Sequence, residues 1–269
     1  MFRLQKFVIV GIAMLFLLVS FAYASLQDGL VLYLPFDEGS GTVAKDLSGN
    51  KHDGAINGAT WVDGKFGKAL NFDGKGNFVE VPYTDSFAIT DGITLGAWVT
   101  ANVPFSLNWK GIINARKSSY GPYLLQTGAD PVKPLGEMGV FTGGGLTNWV
   151  YMQTQTSVDK TFHHIVGTYD TATGFHMYFD GKSEDGVTNF AAPAKTIDAD
   201  PAKEGIAIGH NYGFDPRWWD GIIDEVIVYN RALSADEVAQ LFKAPLVSNT
   251  SAVTAGKLTS TWGSIKGTE

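Results

Sequence analysis

The stretch from Gly221 to Phe242, GIIDEVIVYNRALSADEVAQLF, joins a β-strand to a short helix. From Ile222 to Tyr229 the residues are mostly β-branched or aromatic. Ile223, Glu225, Ile227 and Tyr229 form one alternating set, and Ile222, Asp224, Val226 and Val228 the other, which is the period-two pattern of a strand. Two acids in so apolar a strand imply that one carboxylate is half-buried. After Arg231 the period changes. Ser234 is a side-chain N-cap, Glu237 three residues on completes a capping box, and Leu233 is placed to staple onto Val238. A helix from Ser234 to Phe242, ended before Pro245, is therefore expected.

Working outward, the remainder reads as short strands between turns. Leu30 to Phe36 is apolar on both alternating faces, as in a strand covered on both sides. The turn Asp37–Gly41 (DEGSG) follows, and Asp46 and Asp53 sit in Asx/Gly turn chemistry. Strands are expected at 54–57, 59–62, 69–72 and 78–81, the last two as a hairpin closed by Gly74-Lys75-Gly76-Asn77. Ile93, Leu95, Ala97 and Val99 alternate with Thr94, Gly96 and Trp98, so one face meets the core. Further strands are expected at 111–116, 123–127, 136–141, 149–154, 162–169, 175–179 and 205–209, with mostly loop over 182–204. Sustained helical periodicity occurs at Ser234 to Phe242 alone, which makes the class all-β.

Ordered segments at both ends carry a family resemblance. The Ile-Asp-Glu-Val strand, the Asn-Arg-Ala-Leu corner and the Ser-initiated helix resemble the C-terminal signature of the laminin G-like, concanavalin A-like jelly-roll family. Near the start, GLVLYLPFDEGSG, DLSGNKHDG, GKALNFDGKGNFVEVP and ITLGAWV follow in the order of that family's opening strands. The resemblance covers about Leu26 to Ala244 and implies a two-sheet antiparallel sandwich with one short C-terminal capped helix. The fold hosts lectins, adhesion modules, glycosidases and spacers, so function has to come from a site.

Met1 to Ala24 has Arg3 and Lys6, an apolar run from Phe7 to Phe21, and Ala22-Tyr23-Ala24, the pattern of a secretory signal peptide. An uncleaved N-terminal anchor is the rival reading, and the lack of cysteine excludes lipoprotein attachment. The expected organisation is a signal at 1–24, one jelly-roll domain at 25–244 and a Ser/Thr-rich tail at 245–269, secreted or held at the cell surface with no span after cleavage. With no cysteine, stability has to come from the core or a bound metal. The net charge of −7, without a Lys/Arg cluster, argues against nucleic acid.

Two candidate sites follow. The resemblance places the first strand beside the last, where related jelly rolls hold a structural calcium; Asp37, Asp224 and the carbonyl of Gly41 are then the expected ligands of a Ca²⁺ ion. The competing reading is that Asp224 accepts backbone amides near the opening strand. The second candidate is aromatic: Tyr212, Phe214, Trp218 and Trp219 around Arg217, extended by Trp109, Tyr120 and Trp149, could stack on sugar rings while polar groups bind hydroxyls. Of the adjacent tryptophans, Trp218 is expected to be exposed and Trp219 buried. His163 and His164 point to opposite faces and cannot chelate one ion. The paired carboxylates of a retaining glycosidase on one strand, Gly-x-Ser-x-Gly and His-Glu-x-x-His are all missing. The expected function is a secreted, non-catalytic carbohydrate- or matrix-binding module with a glycan or extracellular matrix partner. The alternatives are a structural or protein-interaction domain and, behind it, a glycoside hydrolase.

Overall fold

The period-two segments form strands that pair into two antiparallel sheets. The computed structural model describes residues 25–104, 109–115, 121–130, 132–191, 195–199, 202–211 and 217–246. Residues 1–24 and 247–269, on which the expected signal peptide and tail fall, and Tyr120, Tyr212 and Phe214 lie outside the described residues. In chain order the strands are β1 (Leu30–Leu34), β2 (Val43–Ala44), β3 (Gly54–Asn57), β4 (Thr60–Asp63), β5 (Lys68–Asp73), β6 (Phe78–Val81), β7 (Gly92–Val99), β8 (Gly111–Asn114), β9 (Tyr123–Thr127), β10 (Leu135–Thr142), β11 (Asn148–Ser157), β12 (His163–Asp170), β13 (Gly174–Phe179), β14 (Lys182–Ser183), β15 (Ile206–Ile208) and β16 (Asp220–Tyr229). One helix, α1 (Ala235–Lys243), follows.

The first sheet runs β14-β13-β12-β7-β16-β5-β4, and the second β11-β10-β9-β8-β15-β6-β3-β2. The closing strand β16 organises the first. One of its edges pairs with β7; the other pairs with β5 through Asp220–Ile223 and with β1 through Val226–Tyr229. Leu95, Val99, Ile165, Ile223 and Val228 from this sheet meet Val79, Val81, Leu125, Met138, Val140 and Met152 from the other in the main core. A second, smaller core lies between the outer face of the first sheet and α1: Tyr33, Val166, Tyr178, Ile227 and Tyr229 pack against Leu233, Val238 and Leu241. That layer explains why β1 and β16 are apolar on both alternating faces.

Helix α1 begins as its sequence dictates. Ser234 accepts the Glu237 N–H, and the Glu237 side chain returns to the Ser234 N–H at 2.8 Å. Leu233 and Val238 are buried together in the smaller core, and Arg231 clamps Glu237 at 2.7 Å. Leu246 is also buried there.

Two local expectations fail. β5 and β6 do not form a hairpin: β5 pairs with β4 and β16 in the first sheet, β6 with β3 and β15 in the second. The 74–77 turn crosses between sheets, held by the Asp73 N–H to Asn77 and the Gly74 N–H to the Trp219 carbonyl. A tight glycine turn serves a hairpin or a sheet-crossing corner equally well; the partner is chosen by distant strands. The second failure concerns the acids of β16, both of which are buried, Asp224 at 0% and Glu225 at 6% exposure. Strict alternation would have put them on opposite faces of the strand. A bulge shifts the register against β7 between Asp224 and Ile227, with Glu225 at φ 52°, so the extra residue turns both side chains inward.

Candidate functional site

Asp224 ends a network rather than a coordination sphere. Its Oδ2 accepts the N–H groups of Lys65 (2.8 Å) and Phe66 (3.2 Å), and its Oδ1 accepts that of Glu225 (2.9 Å). Asp37 Oδ1 accepts the Lys68 N–H at 2.9 Å, and the Gly41 carbonyl accepts the Trp61 indole N–H at 3.0 Å. The turn Asp63-Gly64-Lys65-Phe66-Gly67 thus offers its backbone to two carboxylates. It needs glycine: a Cβ at Gly64 would lie 2.6 Å from Asp224 Oδ2, and Gly67 combines φ 53° with an even closer approach to Asp37.

Calcium takes about six to eight oxygens at about 2.3–2.6 Å. Among the described residues no three His, Cys, Asp or Glu side chains converge to hold a metal. Asp37, Gly41 and Asp224 fasten the 63–68 turn and Trp61 to the ends of β1 and β16. Melting in chelator and in millimolar calcium is expected to give the same Tm. A rise of several degrees in calcium would return a cation to this corner.

Burial pushes the carboxyls of this corner upward, Asp224 to about 7 and Glu225 to about 8. Both exceed their ordinary values, so the native state holds more protons than the unfolded chain between about pH 4 and 8. The stability they contribute is complete below their unfolded pKa values and is lost as pH rises through 7 and 8. Tm is expected to fall from pH 5 to pH 8.5. Glu225→Gln, neutral at every pH, should make that decline shallower; an unchanged slope would show that Glu225 takes no part in it.

A second constellation lies on the outer face of the second sheet. Core residues Leu125, Met138, Val140, Val150 and Met152 alternate with residues that line an open cleft of about 840 Å³. On β11 these are Trp149, Tyr151 and Gln153; on β10, Glu137 and Phe141; on β9, Leu124 and Gln126. The register sets Phe141 opposite Trp149, Gly139 opposite Tyr151, and Glu137 opposite both Gln153 and Gln126. Gly139 is required here, since a Cβ would fall 2.0 Å from the Trp149 ring. Trp149 therefore lies across the sheet, 4.9 Å from Phe141 between ring centroids. Leu146 and Thr147 form one rim, their loop held by Asp198, which accepts the N–H groups of Gly144 (2.7 Å) and Leu146 (2.8 Å). Trp109, with Arg217 4.7 Å over its ring, also lines the cleft.

The floor is polar and oriented. Glu137, 3% exposed, accepts Nε2–H bonds at 2.7 Å from both Gln126 and Gln153. Because the carboxylate attracts both NH₂ groups, the amide orientations follow from the network. Gln126 then accepts from Asn211 Nδ2, and Asn211 accepts from Asn114 Nδ2 at 3.0 Å. Burial pushes the Glu137 carboxyl above the usual carboxylate range, against the lowering pull of the two amides.

The aromatic expectations divide. Trp109, Trp149 and Arg217 meet in the cleft, and Tyr212 falls outside the described residues. Trp218 is half-buried, stacked on His210 with centroids 3.3 Å apart, and does not line the cleft. The cause is its bridge to His210 beside β15, which turns the ring toward His210 and Phe78. Trp219 is fully buried, as expected. His163 bonds Asp180 at 3.0 Å while His164 is buried against Trp98, on opposite faces of β12. Glu137, Gln126, Gln153, Tyr151 and Asn211 were not anticipated. Their signal was a polar residue inside an otherwise apolar strand, Gln126 in YLLQT and Glu137 in GEMGVF.

Residues 73–239 match the family model described as the concanavalin A-like lectin/glucanases superfamily. The chain belongs to that superfamily. No curated protein matches this superfamily member. Among solved structures it is similar to domain 4 of AbnA, a GH43 extracellular arabinanase from Geobacillus stearothermophilus, in complex with arabinotriose. The TM-score is 0.58 at 20% identity, over 79% of this chain and 97% of that one. It is also similar to the binding domain of Paraclostridial Mosquitocidal Protein 1 (TM-score 0.63, 17% identity, 80% and 52% covered). A third likeness is the binding domain of botulinum neurotoxin DC in complex with SialylT (TM-score 0.58, 13% identity, 81% and 52% covered). The chain thus spans about half of each toxin binding domain. At these identities the likeness is one of fold, the concanavalin A-like sandwich that also carries carbohydrate-binding neighbours.

Proposed function

We propose that this superfamily member is an exported, non-catalytic carbohydrate-binding module whose site is the cleft on the second sheet. The observation that carries the reading is the arrangement of Trp109, Trp149 and Tyr151 around a buried Glu137–Gln126–Gln153–Asn211 floor. Aromatic faces stack on the apolar faces of sugar rings, and a pre-oriented polar floor bonds hydroxyls without first having to be ordered. The volume of about 840 Å³ suits an oligosaccharide. The arabinotriose and SialylT complexes of similar folds support a glycan as the ligand class.

Against hydrolysis stands the carboxylate inventory. Among the described lining residues Glu137 is the one acid, whereas glycosidases of the common type place two carboxyls about 5–9.5 Å apart across the scissile bond. Both oxygens of Glu137 are tied to glutamine amides, which suits hydroxyl binding. The test is a glycan array spanning neutral and sialylated oligosaccharides, followed by calorimetry on the strongest binder and a search for cleavage products. Binding without cleavage is expected, and Trp218→Ala should leave the affinity within about twofold. Cleavage by wild type that Glu137→Gln abolishes would make the cleft an active site. No glycan signal would move the function to protein interaction.

A further inference from the structure

The bulge of β16 turns two acids inward, and the 63–67 turn accounts for Asp224 alone. Glu225 holds a left-handed backbone at φ 52°, a conformation strained for a residue with a Cβ. Its Oε2 accepts the Tyr33 hydroxyl at 2.8 Å, but its Oε1 is buried without a hydrogen-bond partner. Two neighbours share that condition: Trp98 Nε1 and His164 Nδ1 are buried and unpartnered. Trp98 and His164 are directly opposite in the β7–β12 ladder, with rings 5.1 Å apart, and Asp224 is opposite Trp98 across the β7–β16 ladder.

Trp98, His164 and Glu225 line a single small space of about 10 Å³, completed by Ile227, Leu241 and Leu246. All six residues are at most 6% exposed. Three unpaired polar atoms scattered through a core would each be a liability, since buried polar groups in native proteins are almost always paired. Gathered around one space, they describe a ligand. Its size is the least that admits one water molecule, and three polar partners is the usual number for a buried water. Trp98 can only donate, which excludes a cation. Burial holds the His164 pKa down to about 3, so the ring is neutral, with one nitrogen carrying a proton and the other able to accept.

We propose that this space is a built site for one internal water, which accepts the Trp98 indole N–H and bridges it to His164 Nδ1 and Glu225 Oε1. The water joins three adjacent strands beneath α1, and Leu241 and Leu246 seal it from bulk solvent. The two acids of the Asp-Glu pair then have separate roles, since Asp224 holds a turn while Glu225 holds Tyr33 and the water.

The test uses the unmodified chain. A high-resolution crystal structure should show one density peak within hydrogen-bond distance of the three atoms. Water-selective NMR should show a cross-peak at the Trp98 indole proton and none at that of Trp219, whose N–H already donates to the Thr100 carbonyl at 3.2 Å. Glu225→Gln keeps an acceptor and removes the exchangeable carboxyl proton, so the Trp98 peak should persist in that variant. No density, or a cross-peak lost in Glu225→Gln, would overturn the water and leave a dry space or a relay from the carboxyl proton.

Discussion

Replacing Asp224 with alanine is expected to lower the unfolding free energy by about 3 kcal/mol. The side chain accepts three backbone N–H bonds, from Lys65, Phe66 and Glu225. Removing it strands these donors around a buried position, and each unsatisfied buried group costs on the order of 1–3 kcal/mol; the exposed Lys65 recovers part of its share from water. For a domain of this size the loss corresponds to a Tm lower by roughly 6–12 °C. Asp224→Asn should fall between, because one amide oxygen can still accept while the NH₂ group faces a donor. A urea or thermal melt settles the matter. An alanine variant within about 2 °C of wild type would mean that the 63–67 turn is held by other contacts, and the role given to Asp224 would be wrong.

The second large effect belongs to the cleft. Trp149→Ala is expected to weaken the best glycan ligand by at least about 30-fold, the scale of an aromatic hot spot worth about 2 kcal/mol or more. Trp109→Ala should do comparable damage, because it removes a stacking face and releases Arg217 from its position 4.7 Å over the ring. Gly139→Ala is the more searching variant. It deletes nothing, yet its methyl would fall 2.0 Å from Trp149, so the ring must swing off the sheet. Trp149 is half-exposed and has room to move, which predicts a folded protein with binding lost. Calorimetry on the three variants, with melts to confirm folding, decides the question. Undiminished affinity in both Trp109→Ala and Trp149→Ala would place the glycan site elsewhere.

The parts of this protein legible in its sequence are those governed by neighbours a few residues apart. Alternation located nearly every strand, and Ser234, Glu237 and the Leu233–Val238 pair located the helix, because hydrogen-bond geometry and side-chain direction over one turn follow from local spacing. The ordered segments at both ends then carried the sandwich. Tertiary structure decided the rest. It alone put β5 and β6 in different sheets, since the 74–77 turn allows either outcome, and it alone bulged β16 so that Asp224 and Glu225 both face inward. The cleft is legible only across strands: Glu137, Gln126 and Gln153 lie on β10, β9 and β11, and strand register sets them side by side. Trp218 and Trp149 look alike in the sequence, yet His210 covers one and a glycine on the adjacent strand gives the other room to lie flat. Spacing along the chain determines which face a side chain takes; only the partner strand determines what it meets there.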